Sequence, residues 1–139
     1  MELSSTTKLL AGIILITVPS IEFGGTFLLG MLRTSAPEYV NNPLRQNLFR
    51  AGHAHAGVLV ILSLVMQLLA DGLGSPTPLH LVARLGAPCA AILMPLGFFL
   101  SVTSPEAQKP NGLIALVYAG ALLLALSTVL LGVLLLRAL

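Results

Sequence analysis

The sequence predicts an all-α protein, a four-transmembrane-helix bundle that forms a single integral membrane domain over residues 1–139. Three observations predict this fold. Of the 139 residues, 56% are hydrophobic and only 9% are charged, whereas a soluble domain carries about 25% charged residues. The mean hydropathy is +0.97. Four apolar runs are also each long enough to cross a bilayer, which takes about 20 residues as a helix.

The four predicted spans cover residues 8–32, 45–70, 79–102 and 112–136. Proline, asparagine, glycine and serine mark the three short segments between them. Because these segments are short, we expect consecutive helices to be antiparallel neighbours. They leave no room for a soluble domain.

The charge pattern indicates a lipid bilayer as the surroundings and no nucleic-acid partner. The net charge is +2, and the seven lysines and arginines are scattered, which is unlike a nucleic-acid-binding surface. Four basic residues on one side against three on the other weakly favour cytoplasmic loops between spans one and two and between spans three and four. We expect an integral protein of a bacterial inner membrane.

Cys89 is the only cysteine, so no intrachain disulfide forms.

The first span carries Glu22, which follows Pro19 and precedes two glycines. Pro19 removes a helical hydrogen bond and can kink the span. A carboxylate at this depth must be paired, protonated or wetted. Arg50 and His53 are its natural partners if the first span packs on the second. Glu22 then either orients the bundle as part of a buried pair or acts as an acid, a base or a support for a ligand histidine.

The second span contains the most informative run, from Arg50 to Gly57, with His53 and His55 inside it. Ionisable groups within a span are costly and are functional candidates by default. Residues two apart on a helix differ by about 200° in direction. His53 and His55 therefore cannot both bind one ion from a regular helix.

The two histidines belong to different stripes of the second span. His53 lies on the polar stripe, which should face the inside of the bundle. His55 lies on a stripe that begins with Ala51 and Gly52 and continues through apolar residues such as Leu59. We expect a flat cofactor such as a porphyrin, or another protomer, to lie against this second stripe.

The remaining spans offer fewer candidates. The third contains two prolines and ends in Phe98 and Phe99, which either pack or line a pocket. His80 begins this span at the water boundary. The fourth is almost entirely leucine, alanine, valine and glycine, as expected of a packing or lipid-facing helix.

Two short motifs resemble the styrene oxide isomerases, a family of small integral membrane enzymes that hold haem b. The first is Arg50 followed by the Ala-His-Ala-Gly sequence at residues 54–57. The second runs from the Phe-Phe-Leu-Ser sequence at residues 98–101 through Ser-Pro at 104–105 to Asn-Gly at 111–112. Their order and approximate spacing fit that family.

The resemblance implies that His55 is the axial ligand of ferric haem b, with His53 as the alternative. It implies a homotrimer with haem near the protomer boundaries. The reaction would convert a small apolar epoxide to an aldehyde, with the iron as a Lewis acid and no net redox change. We expect the cofactor to be bordered by Arg50, Ala51, Gly52 and Leu59, and we expect Phe98 and Glu22 to act in catalysis.

Two positions depart from the family. Its pocket has a tyrosine in the aromatic run and an asparagine shortly after the ligand histidine, where this chain has Phe98 and Ile61. A pocket that lacks both polar groups is less able to orient an epoxide. The haem site can persist while the substrate or the reaction changes.

Three alternatives stay open at the level of sequence. One is a non-enzymatic haem b protein for electron transfer or gas binding, in which His55 pairs with a histidine of another chain. Another is a haem-free metal site built from Glu22, His53 and His80, since two histidines and a carboxylate suit zinc or non-haem iron. The last is an accessory subunit in which these residues only pack.

Overall fold

The computed structural model describes residues 2–73 and 77–139, and this part of the chain is helical without any strand. Its helices are α1 (Ser5–Arg33), α2 (Pro37–Val40), α3 (Pro43–Asp71), α4 (Pro78–Leu100) and α5 (Ala115–Arg137). A 3₁₀ turn over Gly112–Ile114 leads into α5.

Four of these helices are long and apolar enough to cross a membrane. The predicted all-α, four-span architecture is confirmed, and each predicted span agrees with its helix to within a turn. The predicted loop between the second and third spans includes residues 74–76, which lie outside the described residues. The short helix α2 is an addition to the sequence prediction.

Three long helices begin at side-chain caps. Ser4, Asn42 and Thr77 precede α1, α3 and α4, and each accepts a hydrogen bond from a backbone N–H of the first turn. Such caps satisfy donors that the helix itself cannot pair. Pro43 and Pro78 then stand at the first helical position, where the missing N–H costs no hydrogen bond.

The long helices pack in a row, with α1 on α3, α3 on α4 and α4 on α5. Helix α3 therefore lies between α1 and α4 and carries most of the polar residues at membrane depth. Since α1 makes at most isolated contacts with α4, a cleft remains between these two helices with α3 as its floor.

Glycines allow α4 and α5 to approach closely. A Cβ atom at Gly97 would lie 2.7 Å from the backbone N of Val117, and one at Gly120 would lie 2.6 Å from Cγ of Met94. Gly86 meets the Ser127 side chain in the same way. Small residues at such contacts are typical of helix pairs in membranes, where association depends on close packing.

Helix α4 continues through both of its prolines. Pro88 has no N–H, so the carbonyl of Arg84 loses its partner within the helix. The Gln67 side chain of α3 supplies one, since its Nε2 donates to this carbonyl at 2.8 Å. A neighbouring helix thus satisfies the backbone group that the proline frees, as the bilayer requires.

Polar side chains close one end of the bundle. Arg45, which is 7% exposed, donates from Nε to the carbonyl of Val102 and from Nη1 to that of Glu38. The Asn42 amide donates to the carbonyls of Pro105 and Ala107. The loop after α4 is therefore held against the start of α3.

We predict that Gly97→Ala weakens the contact between α4 and α5. The new methyl group would overlap the Val117 backbone, and overpacking of this kind costs about 1–3 kcal/mol. Thermal unfolding in detergent should show a lower Tm.

Gly132→Ala is the matched control, because a Cβ there meets nothing within 4 Å. It should leave Tm unchanged or raise it, since alanine favours helix over glycine by about 1 kcal/mol. Equal effects of the two substitutions would contradict the proposed contact.

Candidate functional site

The two histidines of α3 contact different helices. A Cβ atom at Gly25 of α1 would lie 3.1 Å from Cε1 of His53, so His53 lies against α1. The ring of His55 instead lies 5.0 Å from that of Phe98 of α4, centroid to centroid. The prediction that these side chains leave α3 in different directions is confirmed.

His55 is held by its own helix. Its Nδ1 lies 2.7 Å from the carbonyl oxygen of Ala51, one turn earlier. A carbonyl can only accept, so Nδ1 carries the proton, and in the neutral ring Nε2 keeps the lone pair. Metal-bound histidines commonly have this arrangement, with one nitrogen donating to a carbonyl and the other free for the metal.

One side of α3 around His55 is apolar and partly open, although Leu62 on this side packs against the helix contact with α4. Ala51, Val58 and Leu62 share this side, being four residues before and three and seven residues after His55. The side chain of Val58 is 64% exposed, and those of Ala51, His55 and Leu62 are half-buried. A planar group bound at Nε2 would meet aliphatic side chains here.

Two residues expected to border the cofactor lie inside the contact with α4 instead. A Cβ atom at Gly52 would come within 3.0 Å of the Phe99 ring and 3.1 Å of Cβ of Phe98. Leu59 is 4% exposed and packs with Ala90. The room at Gly52 is thus taken by the two phenylalanines, so Gly52 and Leu59 bring the helices together and do not offer free surface.

His53 lies in a notch that two glycines make in α1. A Cβ at Gly24 would lie 3.6 Å from Nδ1 of His53, and one at Gly25 would lie 3.2 Å from Nε2. Neither ring nitrogen has a hydrogen-bond partner within residues 2–73 and 77–139. His53 also lines the cleft between α1 and α4, whose volume is about 370 Å³.

Glu22 does not pair with Arg50 or His53. Both Glu22 and Arg50 are exposed, and the one ion pair in the described part of the chain joins other residues. Helix α1 does pack on α3, but its contact line follows Ile14 and Leu28. Glu22 lies about 80° around α1 from Ile14, so it projects to the side.

The described residues contain no group of three or more histidine, cysteine, aspartate or glutamate side chains placed to hold a metal ion. His53 lies against α1 near the middle of the bundle, and His80 begins α4 at one end. The structure does not bring Glu22, His53 and His80 together.

A polar cluster joins three helices at the opposite end from Arg45, and the sequence interpretation missed it. Arg84 donates to Thr7 at 2.6 Å and to Asp71 at 3.2 Å. The side chains of the ion pair are 5% and 6% exposed. Ser4 and Thr7 both donate to the Asp71 carboxylate, and the fully buried Gln67 lies beside the guanidinium. We call these five residues the polar knot.

A signal for this cluster was present in the sequence. Gln67 and Asp71 are four residues apart, so they share one face of α3. Arg84 follows soon after in the next span, which runs antiparallel to α3. In the charge pattern of the sequence, Arg84 counts only as one of the seven basic residues.

Asn111, near the end of the second motif, has a structural role. Its side chain donates to the carbonyl of Leu100 at 2.9 Å and accepts from the N–H of Leu113 at 2.8 Å. Its backbone N–H donates to the carbonyl of Ser101. Asn111 thus ends α4 and begins the turn into α5.

The comparison with known proteins finds no matching family model, no matching curated protein and no matching solved structure. The likeness to styrene oxide isomerases therefore depends on the residues of the two short motifs.

We predict that Arg84→Ala destabilises the bundle. It leaves the Asp71 carboxylate buried without its cation, and losing one partner of a buried pair is strongly unfavourable. Thermal unfolding in detergent should show a Tm lower by roughly 5 °C or more.

Arg137→Ala, at the exposed end of α5, is the control for loss of one positive charge and should leave Tm almost unchanged. If Arg84→Ala unfolds at the wild-type temperature, the polar knot does not hold these helices together.

Proposed function

We propose that this protein is a membrane-bound haem b protein that rearranges small apolar epoxides to carbonyl compounds, and that His55 would hold the haem iron. One observation carries the assignment to His55. The hydrogen bond from Nδ1 to Ala51 fixes the ring and leaves Nε2 with its lone pair free.

The residues present suit this cofactor. A neutral imidazole is an established axial ligand of haem iron. The open side of α3 around His55 is aliphatic, and the only aromatic ring paired with the imidazole is Phe98 among the described residues. An apolar porphyrin face would therefore meet apolar side chains, and no buried charge would be left against it.

When bound, haem b would supply a Lewis-acidic iron that polarises the epoxide oxygen. The protein holds the ligand nitrogen still through Ala51 and keeps water away with Phe98 and its aliphatic neighbours. In the net reaction a C–O bond breaks, a hydrogen moves with its electron pair to the adjacent carbon, and a carbonyl forms. These changes stay within the substrate, so the protein need not supply a proton or a reductant.

Exclusion of water favours isomerisation over hydrolysis. A cationic carbon formed during ring opening would react with any water beside it. Phe98 offers no hydrogen-bonding group, and Glu22 projects away from this side of the bundle. We therefore assign Phe98 a role in shielding the substrate and assign Glu22 no step.

We extend the proposal to a homotrimer. The exposed aliphatic side chains of Val58 and Ile61, each 64% exposed, provide α3 with a surface that another protomer can cover. A cofactor bound to His55 would then be enclosed by two chains. An integral protein of a bacterial inner membrane is part of the same proposal.

A second function is favoured by the apolar character of Phe98. Without a hydroxyl beside His55, the pocket lacks a group to orient an epoxide. The alternative is a haem b protein for electron transfer or gas binding. Six-coordinate, low-spin iron in the purified protein would support electron transfer, whereas an open coordination position would support the isomerase.

We predict that His55→Ala abolishes haem binding, since it removes the imidazole that would bind the iron. Protein purified from cells supplied with haem precursor should show a Soret band in the wild type and none in this variant. His53→Ala removes an imidazole from the same helix on the other side and should retain the band. Loss of the band in His53→Ala alone would transfer the ligand role to His53.

We also predict that haem-loaded protein converts an aryl epoxide to the corresponding aldehyde without added reductant. Gas chromatography should detect the aldehyde, and His55→Ala should form none above the spontaneous rate. Release of a diol, or turnover that depends on a reductant, would contradict the proposed reaction.

A further inference from the structure

The cleft between α1 and α4 is a second candidate site, separated from His55 by the width of α3. Its walls are mostly aliphatic, and the Phe99 ring in its lining lies against Gly52, the residue before His53. It spans from the level of Ile13 to that of Gly24 on α1, or about 16 Å at about 1.5 Å per residue. We call it the lateral cleft.

The lateral cleft opens sideways towards the lipid. Ile13 of α1 and Ile92 of α4 border it and are 53% and 59% exposed. Both lie well inside their membrane-spanning helices, and these two helices barely touch. A molecule dissolved in the bilayer can thus enter without crossing the loops.

His53 is the one polar side chain of this lining that lacks a hydrogen bond within the described parts of the chain. The hydroxyl groups of Thr17, Ser20 and Ser63 each donate to a carbonyl of their own helix, at 2.6 Å in every case. His53 makes no such bond, and the glycine notch holds its ring in place. An imidazole at this depth retains one donor and one acceptor for an incoming molecule.

We propose that the lateral cleft binds a neutral apolar molecule that carries one hydrogen-bond-accepting oxygen, such as a ketone, with the N–H of His53 as donor. His53 is the only ionisable side chain in the lining, so a charged ligand would find no fixed counter-charge at low dielectric. The volume of about 370 Å³ lies within the usual range of about 300–1,000 Å³ for small-molecule sites. This inference does not depend on haem binding.

Benzophenone tests the proposal directly, because it is a neutral diaryl ketone that cross-links to C–H bonds under ultraviolet light. The purified full-length protein in lipid nanodiscs should be labelled saturably, and mass spectrometry should place the adducts on residues of the lateral cleft. Diphenylmethane, which has the same shape without the oxygen, should compete more weakly than unlabelled benzophenone.

Three variants and one control separate the shape of the cleft from its hydrogen bond. Ala91→Phe fills the cleft and should abolish saturable labelling. If the phenylalanine impairs folding, Ala56→Leu fills the cleft with a smaller side chain and should have the same effect. Ala125→Phe, on an exposed face of α5, is the matched control and should be labelled like the wild type. His53→Leu should weaken benzophenone binding by about three- to ten-fold, the usual worth of one hydrogen bond, and should leave diphenylmethane unaffected.

His55→Ala should retain full labelling, so failure of the haem proposal and failure of this one are distinguishable. The inference is overturned if adducts spread over the lipid-facing surface without saturation, which means partitioning into lipid only. It is also overturned if the cleft-filling variants are labelled like Ala125→Phe, or if benzophenone and diphenylmethane compete equally in the wild type.

Discussion

The ion pair between Arg84 and Asp71 sets the relative positions of three helices, and both candidate sites depend on those positions. The pair lies at one end of the bundle, where Thr7 of α1 bonds to both of its members. A mid-membrane helix pair can otherwise slide, because aliphatic side chains pack almost equally well against several neighbours. Directional hydrogen bonds of nearly buried groups remove that freedom.

The register set at the polar knot leads to the glycine notch. The step along α1 from Thr7 to Gly25 equals the step along α3 from Asp71 to His53, about 18 residues or about 27 Å at about 1.5 Å per residue. Because α1 and α3 are antiparallel, fixing Thr7 beside Asp71 also places Gly25 beside His53. The imidazole of His53 meets a surface without side chains, which is why it fits between α1 and α3.

The long helices could be predicted from the sequence because their signal is local. Hydropathy, together with flanking prolines, asparagines, glycines and serines, determined each span to within a turn. The opposite directions of His53 and His55 could also be predicted, since they follow from helical geometry alone. The single-turn helix α2 was not predicted, although Pro37 and Glu38 are typical of a helix start, because four residues are too few for a periodic signal.

Contacts between helices were the part that the sequence did not determine. The expectation that Glu22 pairs with Arg50 or His53 was wrong. It matched polar residues of adjacent spans by residue type, and the sequence does not fix the rotation of α1 about its own axis. Gly52 was expected to leave space, but whether a glycine lines a void or a helix contact depends on what the neighbouring helix places there. The polar knot gathers Ser4, Asp71 and Arg84 from distant parts of the chain.

The arginines near the two ends of the bundle bond to other protein groups, whereas the two histidines between them retain unused ring nitrogens. At one end Arg45 is satisfied by carbonyls, and at the other Arg84 is paired with Asp71. Between them, His55 uses one nitrogen on its own helix, and His53 uses neither within the described residues. In water these nitrogens would be satisfied by solvent, but the bilayer core offers none. The unused ring nitrogens of His53 and His55 lie on opposite sides of α3. This helix therefore presents two separate positions where a ligand can form a bond that lipid cannot provide.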